Sequence, residues 1–161
     1  MPEIRETILD QGWNDGAGAF TQSFGSSALD ASALMMAIVG FVPADDPRMR
    51  STIEAIASRL TDDAGMVYRY RADDGLAGDE GTFFICTFWL VQCFALLGES
   101  VRARVLFDRV VAHANDLGLL SEELDPETGD LLGNFPQAFT HIGLVNAASA
   151  ITDAEASAGG R

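Results

Sequence analysis

Residues 81–98, GTFFICTFWLVQCFALLG, carry no charged side chain over 18 consecutive positions. A helix that is apolar on every side has no face suited to water, so protein or lipid must enclose it. Thr82, Thr87 and Gln92 dilute the hydrophobicity of this run, and no basic cluster flanks it. Two similar but shorter apolar segments also recur along the chain. We therefore favour a helix enclosed by other helices over a transmembrane helix.

The rest of the chain predicts five further helices and almost no strand, because apolar residues recur mainly at helical spacing. Three of the six helical segments are amphipathic and charged, at about 3–12, 47–60 and 100–117. The other three are apolar nearly all round, at about 28–39, 81–97 and 136–151. A helix with one apolar stripe lies on a surface, whereas an all-apolar helix is enclosed. The chain therefore alternates outer and inner helices.

This alternation predicts an all-α fold made of three outer/inner helical hairpins. Such an arrangement is typical of an α/α toroid, although an ordinary bundle with buried central helices fits the same pattern. In the third segment, DDP supplies a cap and a first-turn proline. Met49, Ile53, Ile56 and Leu60 form its apolar stripe. Gly118 is predicted to end the fifth segment.

The composition indicates one domain with a sizeable core, since 48% of the 161 residues are hydrophobic. A net charge of −14 argues against nucleic acid or an anionic membrane as partner. Cys86 and Cys93 are seven residues apart on one predicted helix, too far to form a disulfide, and read as reduced core residues. The N-terminus lacks the pattern of a signal peptide. These features predict a cytoplasmic protein.

The connections between the predicted helices are unequal. Outer helices are followed by long connections, which are NDGAGAFTQSFGSS, TDDAGMVYRYRADDGLAGDE and SEELDPETGDLLGNF, whereas inner helices are followed by the short GFVPADD and GE. In an alternating array all long connections emerge at one end, together with the N-termini of the inner helices. Long loops on a rigid scaffold commonly carry binding chemistry.

The long connections combine carboxylates with aromatic rings and amides, the side chains that bind sugar hydroxyls and sugar ring faces. These candidates are Trp13, Phe20, Gln22, Asp30, Tyr68, Arg69, Tyr70, Glu80, Glu122, Glu123, Asn134, Gln137 and His141. Hydrolysis of a glycosidic bond needs two carboxyl groups, one as acid and one as base or nucleophile. Because Glu122 and Glu123 are adjacent, their side chains point different ways and cannot be that pair.

Five of these candidates also have a structural interpretation. Glu122 and Glu123 fit solvated acids at the end of an outer helix, and Asp30 and Glu80 fit N-terminal caps of inner helices. His141 fits a hydrogen-bonded core histidine, and the DPETGD stretch fits a turn. No Cys/His spacing in the sequence suggests a zinc site, and no phosphate-binding loop or GxSxG motif is present.

Three blocks together resemble glycoside hydrolase family 15, which contains glucoamylases, glucodextranases and bacterial trehalases. They are FTQSFGSSALDASALMMAIVGFVPADDPRMRSTIEAI, VYRYRADDGLAGDEGTFFICTFWL and ANDLGLLSEELDPETGDLLGNFPQAFTHIGLVNAA. The resemblance covers about residues 8–150. The most specific part is GNFPQAFTHIGLVNAA with the preceding GLLSEELD.

The resemblance implies an (α/α)6 barrel of twelve helices and inverting hydrolysis of terminal α-glucosidic bonds, with no metal or organic cofactor. Glu122 stands at the position of the general base, which would activate the attacking water. Arg69 and Tyr70 match residues that line the glucose subsite. The other family positions expected around the pocket are Trp13, Asp30, Glu80, Glu123 and Gln137.

The chain departs from the family in two respects. The upstream Trp-Glu motif that carries the general acid has no counterpart here, and only about six of twelve helices are predicted. Residues 1–152 are therefore interpreted as the C-terminal part of a catalytic domain, and 153–161 as a frayed tail.

The leading hypothesis is a hydrolase of trehalose or of maltodextrins and glucans that is incomplete without the N-terminal half. The alternative is a non-catalytic half-barrel that binds carbohydrate or a complementary protein half. The missing half predicts exposed apolar faces on inner helices, and hence self-association or a protein partner.

Overall fold

The computed structural model of the protein describes residues 2–71 and 81–159 and is mainly helical. Its helices are α1 (Pro2–Gln11), a 3₁₀ helix (Ala31–Leu34) that leads into α2 (Met35–Ile38), α3 (Pro47–Arg59), α4 (Phe84–Leu96), α5 (Ser100–Val111) and α6 (Ala138–Gly159). Short strands are β1 (Trp13–Asn14), β2 (Ala19–Phe20), β3 (Thr82–Phe83), β4 (Glu123–Leu124) and β5 (Leu131–Leu132). β1 pairs with β2, and β3, β4 and β5 form one antiparallel sheet.

Helix α4 is the centre of the core, as the uncharged run predicts. Ten of its thirteen residues are buried, and it packs against α2, α5 and α6. Thirteen residues are fewer than the roughly 20 that a membrane-spanning helix needs. Over residues 2–71 and 81–159, no helix has both the length and the hydrophobicity required to cross a bilayer. The enclosed-helix interpretation of the run is therefore confirmed.

Helix α3 begins where the sequence predicts, because its cap and its apolar stripe both form. The Asp46 carboxylate accepts hydrogen bonds from the backbone N–H groups of Arg48 (2.9 Å) and Met49 (3.4 Å), and Pro47 occupies the first turn. The predicted stripe is buried, with an exposed fraction of 2% or less at each of Met49, Ile53, Ile56 and Leu60. This outer helix therefore presents one face to the core and its charged face to solvent.

Helices begin or end away from the predicted bounds where other hydrogen bonds compete with them. Helix α4 begins at Phe84 rather than at 81, because Thr82 and Phe83 pair with β4. The second segment becomes helical only at Ala31, since the backbone before it is extended and bridges Asp30 to Tyr70. Helix α5 ends at Val111 rather than near 117. Beyond it, the Asn115 side chain accepts from the N–H groups of Leu117 and Leu119, a local turn that replaces the helical pattern. Gly118 follows in the left-handed conformation, with φ of 77°.

Helix α6 corrects one prediction and agrees with another. The tail predicted to fray from residue 153 instead continues the helix to Gly159, and a 3.0 Å ion pair joins Glu155 to Arg104 of α5. One face of this inner helix is open, as predicted for a half-barrel: Phe139, Ile142 and Val145 are 65%, 55% and 64% exposed. Their spacing of three residues places them on one side of the helix. We call this surface the α6 open face.

Both cysteines are buried and unpaired in the core, as predicted from their spacing. Burial raises the pKa of the Cys86 thiol and that of the Cys93 thiol to about 12 in each case. For Cys86, the negative charge of Asp30 raises the pKa further and the charge of Arg69 opposes the shift. Both residues are therefore protonated, unreactive thiols that contribute to packing.

Removal of the α3 cap is expected to destabilise the protein by about 1 kcal/mol, because Asp46→Ala leaves two backbone donors at the helix start without their carboxylate. The matched control is Asp45→Ala at the preceding, exposed acid, which should change the free energy of unfolding by less than about 0.5 kcal/mol. Urea unfolding followed by circular dichroism measures both values. Equal losses in the two variants would contradict the capping role.

Candidate active site

Backbone hydrogen bonds tie the long connections together at one end of the helices. Five short extended segments lie side by side, and we call them the loop ladder: residues 30–31, 67–70, 82–84, 122–124 and 131–134. The joining hydrogen bonds run from Ala31 N–H to Arg69 O (2.8 Å), Phe83 N–H to Val67 O (2.8 Å), Phe84 N–H to Glu122 O (3.2 Å) and Glu122 N–H to Asn134 O (3.0 Å). The ladder leads directly into the inner helices, so their N-termini lie at this end.

Glu122 is a half-buried carboxylate with one oxygen held in place. Its Oε2 accepts two hydrogen bonds from Asn134, one from the backbone N–H (3.1 Å) and one from the side-chain Nδ2 (2.8 Å). In the part of the chain that the structure describes, Oε1 accepts no hydrogen bond. A carboxylate held by one oxygen and open at the other can take a proton from a bound water molecule.

Gly133 allows the chain to pass directly against Glu122. Its φ is +71°, and a Cβ atom there would lie 2.9 Å from both Cβ and Oε2 of Glu122. No side chain fits that space without displacing the carboxylate, and the positive φ itself favours glycine. The residue pattern alone does not single out Gly133, and it places Asn134 only among the candidate residues of the long connections. The signal for both was their place in LGNFPQ, directly after the acidic turn.

The adjacent Glu123 points to a different part of the ladder, as its position next to Glu122 requires. Its Oε2 accepts a hydrogen bond from the backbone N–H of Gly81 (3.2 Å), and its backbone pairs with Phe83 and Leu132. A Cβ atom at Gly81 would lie 2.7 Å from the carbonyl oxygen of Leu124. Glu123 therefore contributes to the junction between β3 and β4.

The first turn of α6 holds the backbone just before Glu122. Gln137 N–H donates to Leu120 O (3.1 Å), and Leu120 N–H donates to Nε2 of His141 (3.4 Å). With Nε2 as the acceptor, Nδ1 is the ring nitrogen that donates, and it lies 2.8 Å from Gln137 O. His141 is thus a hydrogen-bonded, half-buried histidine that connects α6 to the Glu122 segment, and the DPETGD stretch between them is the predicted turn.

Asp30, Arg69 and Tyr70 come together on the other side of β3. Asp30 and Tyr70 form an antiparallel bridge, and the buried Asp30 caps the 3₁₀ helix by accepting from Ser32 N–H (2.7 Å). The Arg69 guanidinium is exposed and lies 5.9 Å from the centre of the Tyr70 ring. Residues 82–84 lie between the Arg69 segment and the Glu122 segment and join them, because Phe83 N–H donates to Val67 O and Phe84 N–H donates to Glu122 O.

The remaining predicted residues lie elsewhere or outside the described chain. Trp13 is on the β1–β2 hairpin, where its indole N–H donates to Asp15 (2.7 Å) and its ring lies edge-on to Phe20. Glu80 falls within residues 72–80, which the structure does not describe. A groove of about 580 Å³ between α3, α4 and α5 has Leu90, Phe94 and Val105 in its lining and contains none of the predicted site residues.

Comparison with known proteins matches residues 1–103 and 100–149 to the family model described as glycosyl hydrolases family 15. A trehalase of Mycolicibacterium smegmatis is 51% identical over 156 residues, which are 95% of this chain and 23% of that protein. A trehalase of Thermoplasma volcanium is 41% identical over 152 residues, 94% of this chain and 24% of that protein. The chain thus spans about a quarter of the length of these curated relatives.

Solved structures are similar in fold. A wild-type glycosidase superposes with a TM-score of 0.80 at 24% identity, over 94% of this chain and 43% of that one. A bacterial glucoamylase complexed with acarbose gives 0.77 at 18% identity, over 94% and 28% respectively. The predicted fold class, about half of an (α/α)6 toroid, is therefore confirmed, and so is the alternation of outer and inner helices.

Substitution at Gly133 is expected to disturb the Glu122 segment more than substitution at another glycine of the same hairpin. Gly133→Ala combines a left-handed φ with a clash against Glu122, whereas Gly129→Ala has a φ of 75° and open space around it. Strain alone should cost about 1–2 kcal/mol in each variant. The clash should add about 1 kcal/mol or more in Gly133→Ala. Urea unfolding of both variants tests this, and equal losses would show that Gly133 does not crowd Glu122.

Proposed function

The chain belongs to glycosyl hydrolases family 15, and from this membership we propose that it is the C-terminal part of an enzyme that hydrolyses trehalose with inversion. In the proposal, this part of the catalytic domain includes residues 1–152 and the rest of α6, which continues to Gly159. The trehalose substrate is supported by the two trehalases that match 94–95% of the chain. Maltodextrins and glucans are the competing α-glucosides, supported by the fold similarity to a glucoamylase.

Glu122 is the proposed general base, which removes a proton from the water that attacks the anomeric carbon. The observation that carries this role is the pair of hydrogen bonds from Asn134 to Oε2, because they fix the carboxylate while Oε1 faces no donor among the described residues. A base must be held at a defined position against its water to be effective.

Sugar recognition is assigned to residues of the loop ladder and its neighbours. Arg69 and Tyr70 would donate hydrogen bonds to glucose hydroxyls, and a shared subsite is supported by the 5.9 Å distance between the Arg69 guanidinium and the Tyr70 ring and by the backbone bridge from Tyr70 to Asp30. The other proposed contributors to substrate binding are Trp13, Glu80, Glu123 and Gln137. The family chemistry uses no metal or organic cofactor in this proposal.

The general acid would come from the missing part of the barrel. An inverting site needs a second carboxyl group about 6.5–9.5 Å from the base, with room for water between them. Glu123 is unsuited to that role, since it is adjacent to Glu122 and its Oε2 bonds Gly81 N–H. The absence of a Trp-Glu motif from the sequence supports an acid supplied by the rest of the protein.

The α6 open face is the proposed seam for the missing half. Phe139, Ile142 and Val145 are large apolar side chains on an inner helix, and each is more than half exposed. Full burial of such a side chain is worth about 1.5–3 kcal/mol. The proposed partner is therefore the remaining part of the barrel, with self-association in its absence. The two unpaired, buried cysteines support a cytoplasmic location.

Glu122→Gln is expected to abolish most glucose release, because an amide cannot accept the proton of the attacking water. The assay uses a chimera in which this chain replaces the matched 156-residue segment of the M. smegmatis trehalase, with the chain alone beside it. Trehalose, maltose and maltotriose are compared. The variant should lower kcat on trehalose by about 10²- to 10⁴-fold.

Glu127→Gln is the matched control, since it makes the same chemical change in the exposed turn of the same loop. It should keep full activity. An active chimera whose Glu122→Gln variant retains activity would refute the assignment of the base. A chimera that folds but releases glucose from none of the three sugars would refute the hydrolase proposal and favour a half-barrel that only binds.

Ile142→Glu is expected to prevent association with the missing half, because a charge would be buried at the seam. This chain and the rest of the M. smegmatis trehalase are co-expressed as separate polypeptides and recovered through a tag on this chain. Thr152→Glu, at an exposed polar position of the same helix, is the control. The wild-type and control chains should recover the second polypeptide and Ile142→Glu should not. Recovery by all three would show that the α6 open face is not the seam.

A further inference from the structure

We propose that Asn134 is a positioning residue that fixes the Glu122 carboxylate so that Oε1 alone faces the attacking water. The inference rests on the proposed function of Glu122 as general base. It assigns to Asn134 an effect on the rate of the chemical step, separate from any effect on substrate affinity.

Asn134 contacts Glu122 at three points. Its carbonyl oxygen accepts from the Glu122 N–H at 3.0 Å, and its backbone N–H and Nδ2 both donate to Oε2 at 3.1 and 2.8 Å. A carboxylate only accepts hydrogen bonds, so the amide must present Nδ2 rather than its oxygen. Both contacts to Oε2 are charge-assisted, the stronger class of hydrogen bond.

Of these three contacts, only the one from Nδ2 depends on which amino acid stands at position 134. The backbone N–H of residue 134 would remain in any variant other than proline, and it holds Oε2 at a single point. Nδ2 adds a second donor on the same oxygen, which stops rotation of the carboxyl group about its terminal bond. Without that donor the plane of the carboxyl group could twist about this bond, and the oxygen that accepts the proton would spend less time aimed at the water.

The surroundings make Glu122 rigid apart from this final rotation. Its backbone carbonyl accepts from Phe84 N–H, and Gly133 leaves no space beside its Cβ and Oε2. Main-chain position and the first torsions are thus set by the loop ladder. The orientation of the carboxyl group depends on Asn134.

The test measures kcat and KM for trehalose in the chimera defined above, with Asn134→Ala and the isosteric Asn134→Asp. Loss of one charge-assisted hydrogen bond should lower kcat about 10- to 100-fold in Asn134→Ala, with KM within about twofold of the parent. Asn134→Asp should lose more, because its carboxylate faces that of Glu122 at the same distance. A rise in KM with unchanged kcat, or full activity in Asn134→Asp, would overturn the proposal.

A double variant separates positioning from a merely structural role. If Asn134 acts through the Glu122 carboxylate, Asn134→Ala should lower kcat by less than about twofold in the Glu122→Gln background. A drop as large as in the parent would overturn the proposal and leave Glu122 as base. An inactive parent chimera would instead count against the proposed function.

An NMR measurement on this chain keeps the inference testable without activity. The backbone and side-chain amide proton signals of Asn134 should both shift in Glu122→Ala, and should stay in place in the control Glu127→Ala. Unchanged Asn134 signals in Glu122→Ala would overturn the positioning role whatever the chimera does.

Discussion

The structure depends on a set of backbone hydrogen bonds that join five chain segments across one end of the helices. The five segments are spread between residues 30 and 134, and three of them lead into the inner helices. Because an unpaired backbone group in a partly buried loop is costly, these segments satisfy one another rather than remaining independent loops. The ladder therefore sets where α2, α4 and α6 begin. It also brings the segments of Arg69 and Glu122 to the two sides of residues 82–84, although these two residues are 53 positions apart in sequence.

The helical framework was predictable because it follows from side-chain periodicity. An 18-residue run without charge requires enclosure, and α4 is the buried centre of the core. The cap and stripe of α3 also formed as predicted, since Asp46 and Pro47 act within a few residues of their position. Helix ends were less predictable. The end of α5 depends on the Asn115 turn, and the start of α2 depends on the distant Tyr70.

The acids were predictable from residue type and family resemblance, but their environment was not. Sequence identifies Glu122 as a carboxylate in a specific motif, yet nothing local indicates that Asn134, twelve residues later, donates twice to one of its oxygens. The need for glycine at position 133 is likewise evident only from the structure, where an added Cβ would lie 2.9 Å from Glu122. The open face of α6 was predictable from the missing half of the barrel and not from periodicity, because an apolar pattern shows that a residue suits burial and not whether a neighbour is present.

The proposed base is organised within this half of the toroid. The groups that hold Glu122, including Leu120, Asn134, Gln137 and His141, lie between residues 120 and 141, and Phe84 N–H adds one contact from the start of α4. The α6 open face begins in the same stretch, with Phe139 in the first turn of the helix that holds Leu120. A partner seated on that face would approach a carboxylate whose orientation is already set. Under the proposed function, association of the two halves would then add the general acid and exclude water without moving the Glu122 carboxylate. The rearrangement that association requires would therefore occur in the other half.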